Sequence, residues 1–152
     1  MEQKVSEILE NILSMLSLEG SFEVEEKNDG VFVSIDASEP GRLIGRDGQT
    51  LQALQFIINQ IILKHTEDPK RVILDVSGWR QGKEEELAHK TKQWAEQVIE
   101  EGKPLELEPM PAWQRRVVHI TIEEMKDVES ESVGEGLDRH LVISPVNVFP
   151  KN

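Results

Sequence analysis

With 152 residues and 38% apolar content, the chain has enough material for one domain or two small ones. It contains no cysteine, which excludes disulfides, zinc–thiolate sites and thiol nucleophiles. A net charge of −12, from 17 basic and 29 acidic residues, argues against a protein that coats nucleic acid non-specifically, because such binding scales with the phosphates neutralised. A small local site stays open: between positions 41 and 71, Arg42, Arg46, Lys64, Lys70 and Arg71 outnumber Asp47, Glu67 and Asp68. The N-terminal segment is amphipathic and acidic, unlike a secretory signal, and the longest apolar run, 56–63, is broken by Asn59 and Gln60. The expectation is a cytoplasmic protein with no membrane insertion.

Val5, Ile8, Leu9, Ile12, Leu13, Met15, Leu16 and Leu18 recur at helical spacing opposite Glu7, Glu10 and Asn11, which predicts a helix over 5–18 closed by Gly20. Phe22 and Val24, then Val31, Val33 and Ile35, alternate with polar neighbours and predict two strands. Lys27-Asn-Asp-Gly30 between them predicts a hairpin, on the ground that this sequence tolerates positive φ. Ser38 is placed to cap a short helix carrying Pro40 in its first turn and ending near Ile44. The stretch Gly41-Arg-Leu-Ile-Gly-Arg-Asp-Gly48 follows, and a glycine loop that feeds a helix offers unpaired N–H groups to an anion. The next helix, 49–65, is expected to bury Leu51, Leu54, Ile57, Ile58, Ile61 and Ile62, and 71–77 reads as a strand.

This order of elements, with Leu43-Ile44-Gly45-Arg46-Asp47-Gly48 between the two helices, resembles a K-homology (KH) domain of the prokaryotic, type II, arrangement. Gly45-x-x-Gly48 matches the family's loop. The resemblance implies that the loop holds the sugar–phosphate backbone of about four unpaired nucleotides. Arg42 and Arg46 would then contact phosphates and Ile44 would line an apolar groove for bases, with Gly41 serving only the short helix past Pro40. Asp47 would repel a phosphate if it points inward. A dinucleotide fingerprint needs G-x-G-x-x-G directly after a strand, and a P-loop needs Gly-Lys-Ser/Thr; neither is present. A tight helix–helix turn stays open as the purely structural alternative.

Residues 78–102 predict one helix with Leu87, Thr91, Trp94, Ala95, Val98 and Ile99 on its apolar face, read as a connector with Trp94 as a core anchor. A short strand is expected at 105–107. The segment 117–122, Val-Val-His-Ile-Thr-Ile, alternates like a strand, whereas a helix would gather Trp113, Val117 and Ile120 beside Val118, Ile122 and Met125. Arg115 and His119, with three residues between them, resemble the signature of the R-three-H domain, in which this segment is helical, and helix is the expectation. Strands at 128–133 and 140–144 form a hairpin around Gly134 and Gly136. Ser130, Ser132, Gly134, Gly136 and Arg139 match the family's closing pattern.

A prokaryotic-type KH domain followed by an R-three-H domain resembles the bacterial Jag family (SpoIIIJ-associated, KhpB/EloR-like). The fold class expected is α+β: two small α/β-sandwich-like domains, the KH domain at 1–79 and the R-three-H domain at 103–146. A helix at 80–102 would connect them and fix their spacing, and a tail from 145 to 152 would be loosely held, with 147–152 outside either domain. The family commonly carries a further small N-terminal domain and linker, and the expectation here is a chain without room for them before Val5.

His65, His89, His119 and His140 are scattered without metal spacing or a serine–histidine–acid order, so no catalytic residue, metal or cofactor is expected, and no enzyme. The resemblance implies single-stranded RNA binding through Arg42, Ile44, Gly45, Arg46, Asp47 and Gly48 of the loop and Arg115, Arg116, His119 and Arg139 of the second domain. It also suggests post-transcriptional regulation linked to cell-envelope growth. Alternatives are single-stranded DNA as ligand, or a protein-interaction adaptor whose partners include a second small KH protein. For His119 a simple helix pair with Glu123 stays open.

Overall fold

The apolar spacing at the start of the chain gives α1 (Glu2–Met15), which buries Val5, Leu9 and Leu13. The computed structural model describes residues 1–146 and divides into two compact units, Met1–Gln81 and Gly82–Asn152. α1 ends at Met15, with Leu16 as its C-cap, earlier than expected, and Gly20 does not cap it. Ser17 takes the left-handed conformation (φ 53°) instead, and the Leu18 N–H donates to Leu13 O at 3.0 Å, which closes the last turn. Gly20 opens β1 (Gly20–Lys27), where a Cβ would lie 2.7 Å from Asp36 O.

β1 pairs antiparallel with β2 (Gly30–Ala37), from Gly20↔Ala37 to Lys27↔Gly30, around a two-residue turn. None of Asn28, Asp29 and Gly30 has positive φ, so the hairpin forms for a different reason than the one expected. Gly30 is required by close approach: a Cβ there would sit 2.8 Å from Arg71 O, the carbonyl that accepts the Val31 N–H. β2 pairs in parallel with β3 (Val72–Val76), giving the order β1-β2-β3. A parallel pair needs a crossover connection. That crossover is α2 (Pro40–Ile44), a 3-10 turn (Arg46–Gly48) and α3 (Gln49–His65), so the glycine loop lies between the two crossover helices. Ser38 does not cap α2; its hydroxyl and N–H both turn to Glu19 O, and α2 starts at Pro40 without a side-chain cap.

One sheet face, with Val31, Val33, Ile35, Val72, Leu74 and Val76 fully buried, packs with Leu9, Leu43, Ile58 and Ile62 of the helices. α3 buries Leu51, Leu54, Ile58 and Ile62; Ile57, expected inside, is half exposed because this narrower stripe leaves it one step around the helix. Asn59 and Gln55 of α3 serve a different purpose. Asn59 Oδ1 accepts the Val72 N–H and its Nδ2 donates to Val72 O, both at 2.8 Å, while Gln55 Oε1 accepts the Leu74 N–H at 2.9 Å. They satisfy the outer edge of β3, which has no neighbouring strand among the described residues.

α4 (Trp79–Glu101) begins where Ser77 and Gly78 turn through positive φ and the Asp75 carboxylate accepts the N–H groups of Arg80 and Gln81 at 2.7 and 3.3 Å. It supplies Leu87, Ala95 and Val98 to the second core, with Trp94 packed against that core. Ile99 is 45% exposed and does not belong to the buried face. β4 (Leu105–Glu106), β5 (Val128–Val133) and β6 (His140–Pro145) form an antiparallel sheet in the order β4-β6-β5.

α5 (Ala112–Glu123) is the helix expected in place of a strand. It buries Val118, Thr121 and Ile122, and Thr121 returns its hydroxyl to Val117 O at 2.8 Å; Ile120 points out, 46% exposed. Pro145 pairs with Val128, and the Val146 N–H donates to Asp127 O, so the expected loose tail does not start at 145. Residues 147–152 lie outside the described residues.

Candidate nucleic-acid interface

α2 and α3 meet at the 45–48 loop, Gly-Arg-Asp-Gly. Gly45 closes α2, its N–H on Gly41 O at 2.9 Å, with φ 70° and ψ −173°. Asp47 (φ 51°, ψ 28°) and Gly48 (φ 76°, ψ 12°) are left-handed, and Gly48 stands at the N-cap of α3 with no side-chain cap bond. The Gln49 N–H donates to Arg46 O within the 3-10 turn, and the N–H groups that follow it in the first turn of this 17-residue helix receive no side-chain cap from Gly48, with the positive end of the helix dipole behind them.

Both glycines are demanded by packing as well as by φ. A Cβ on Gly45 would lie 2.1 Å from Thr50 Oγ1, and one on Gly48 would lie 2.3 Å from the Trp79 ring. Gly41 has neither positive φ nor a neighbour within 4 Å of a Cβ. Trp79 was not legible as part of the site, since no spacing rule links it to a loop 31 positions upstream, and Thr50 carries no signal of its own.

The loop's side chains divide sharply. Leu43 is buried, and Ile44 is partly buried against the first core. Arg42 is drawn into a 3.0 Å ion pair with Glu39 and a 3.5 Å contact to Leu16 O. Arg46 and Asp47 are exposed, and neither side chain has a bonding partner among the described residues.

In the second unit the signature residues hold different posts. Arg115 is half buried and donates to Met110 O at 2.7 Å, so it is not the freely exposed side chain expected. His119 is about half exposed. Its Nδ1 meets Ser130 Oγ at 2.8 Å and its Nε2 meets Glu123 Oε1 at 3.0 Å, so the helix pair with Glu123 exists and a strand residue completes it. Arg116 is exposed with no side-chain partner among the described residues. Arg139 donates to Gly134 O at 2.8 Å and closes the loop in which Gly134 and Gly136 have positive φ. α5 and β5 thus bring His119 to Ser130, while Arg115 and Arg139 each fasten a neighbouring backbone.

His140 sits between Asp138 O, at 2.7 Å from Nδ1, and Glu106 Oε1, at 2.6 Å from Nε2. The Asp138 carbonyl first, then the Glu106 carboxylate, raise its pKa above the ordinary 6.5. Among the described residues no cluster of histidine and carboxylate groups could hold a metal ion, and no helix is long and apolar enough to cross a membrane.

Comparison with known proteins gives two domain matches. The model of the KhpA/KhpB KH domain matches residues 2–76, and that of the R-three-H domain matches residues 85–145. RNA-binding protein KhpB of Clostridium symbiosum is 32% identical over 146 residues, covering 95% of this chain and 66% of that protein. RNA-binding protein KhpB of Bacillus subtilis is 31% identical over 144 residues, covering 93% and 69%. The Streptococcus pneumoniae protein of the same name is 27% identical over 145 residues. The chain spans about two thirds of the length of the first two relatives and 44% of the third.

Proposed function

The chain belongs to the KhpB family, and from that premise we propose that it binds single-stranded RNA, gripping the sugar–phosphate backbone at the 45–48 loop and adding contacts from α5. The observation that carries this reading is the loop itself: two positive-φ glycines flanking the exposed Arg46 and Asp47 between two helices, leading into an N-terminus of α3 that has no side-chain cap. Arg46 beside it supplies a forked phosphate donor and Ile44 an apolar wall for a base. In the second unit Arg116 supplies a like donor, and the half-exposed His119 ring, its two nitrogens held by Ser130 and Glu123, offers a face on which a base can stack. Arg42, Arg115 and Arg139 reach a ligand only by exchanging the bonds they already make. The relatives' printed name, RNA-binding protein, supports RNA over DNA as the first ligand to test.

Replacing both loop glycines with aspartate would wreck the packing on Thr50 and Trp79 along with any ligand contact. The exposed neighbours are the informative positions. In fluorescence anisotropy with a short unstructured RNA, Arg46→Glu should weaken binding about tenfold, a loss of about 1.4 kcal/mol. Asp47→Lys should tighten it several-fold. Equal affinities for both variants and the unaltered chain would overturn the loop assignment, and the same sequence as DNA tests the rival ligand.

A second reading, a protein-interaction adaptor, is favoured by α3, where Phe56, Ile57 and Leu63 are 64%, 51% and 59% exposed. A second small KH protein is the partner proposed for it. Pull-down before and after nuclease treatment separates the two, since only a protein contact survives RNA digestion. The wider proposal is a non-enzymatic, cytoplasmic post-transcriptional regulator linked to cell-envelope growth. It rests on family membership, and sequencing of RNA crosslinked in cells tests it.

A further inference from the structure

Building on the RNA-binding reading, we propose that the second unit carries a separate nucleobase subsite, in a groove between α4 and the segment that leads into α5. The groove encloses about 200 Å³, with Lys83, Lys90 and Trp94 on one wall and Met110 and Gln114 on the other. The three α4 residues fall at i, i+7 and i+11, so they share one helix face. Trp94 is only partly buried: one part of the indole packs on the core and the rest lines the groove.

Its size and chemistry select the occupant. Sites for drug-sized ligands start at about 300 Å³, so this one has room for a single planar ring system. The indole and the Met110 thioether give a polarizable wall against which a base stacks, and the Gln114 amide offers a donor and an acceptor to its edge. Lys83 and Lys90 place ammonium groups at the rim for the flanking phosphates. Glu86 lies between them, 3.8 Å from Lys83 and 3.0 Å from Lys90, and Glu108 also lines the groove. These carboxylates offset the lysines, so the groove favours a flat uncharged ring over an isolated phosphate.

Arg115 acts here as a positioning residue. Its 2.7 Å bond to Met110 O fixes the wall opposite Trp94, which gives the signature arginine a task apart from touching phosphate.

The test uses the full chain and a short unstructured RNA containing 4-thiouridine. Lys83→Gln with Lys90→Gln, both at solvent-accessible positions, should weaken binding about tenfold. It should also flatten the dependence of log K on log salt by about 0.7 for each lysine that touches a phosphate. Photocrosslinks should fall on the peptide carrying Trp94 or the one carrying Met110. Unchanged affinity and no crosslink to either peptide, with Arg46→Glu still weakening binding, overturns the subsite alone. No RNA binding by the unaltered chain overturns both readings. A double variant that loses a protein partner but keeps its RNA affinity makes the groove a peptide site and also overturns the subsite.

Discussion

Asp47 and Gly48 are consecutive left-handed residues, yet they bear on the protein differently. Asp is among the non-glycine residues that best tolerate this region, so Asp47 costs the fold little and its negative charge is the larger effect at a phosphate site. Asp47→Asn should leave the melting temperature nearly unchanged and tighten RNA binding, measured by melting and anisotropy on the same sample. Gly48 has no such latitude, because a Cβ meets the Trp79 ring at 2.3 Å. Gly48→Ala should cost about 3 kcal/mol and alter tryptophan emission, whereas Gly41→Ala, in open space inside α2, should gain about 0.5–1 kcal/mol. His140 gives a pH-dependent contribution. Its folded pKa is raised, so its stabilisation is fully present below the unfolded value near 6.5 and is lost as pH rises through the folded value. Melting the chain and His140→Gln from pH 6 to pH 8 should show a fall in the former that the latter lacks.

At the level of elements, α3 shows how polar residues in an apolar helix earn their place. Asn59 looks in sequence like an interruption of a buried run; in the fold it pairs both backbone groups of Val72 on an edge strand. Asn59→Ala leaves that N–H and carbonyl without their partner and should cost about 2 kcal/mol. For a unit of this size that is a drop in Tm of about 10 °C, readable by circular dichroism. α5 makes the opposite point. Its β-branched run alternates like a strand, and local propensity alone favoured one. The helix wins because Val118, Thr121 and Ile122 then meet the second core together, and the Thr121 hydroxyl is satisfied at Val117 O.

For the whole molecule, a net charge of −12 restricts nucleic-acid contact to a few positions. Single-strand binding loses about 0.7 in the slope of log K against log salt per phosphate contact, so a slope of magnitude about 2–3 is expected, far below that of a protein that coats its ligand. A slope above about 5 would mean that many more cations take part than the exposed Arg46 and Arg116 and the groove lysines. The elements of the first unit and the glycine loop could be read in the sequence, because strand alternation, helical spacing and Gly-x-x-Gly are local patterns; the helix at α5 and the two-part α+β organisation came from the family resemblance. That order alone placed the candidate loop between two helices of a strand-to-strand crossover. Only the tertiary structure decided that Trp79 lies under Gly48, that Ser130 holds His119, and that Arg42, Arg115 and Arg139 already bind carbonyls. The reason is physical: those contacts join residues that no sequence period relates, and a side chain's partner is set by where the packed core places it.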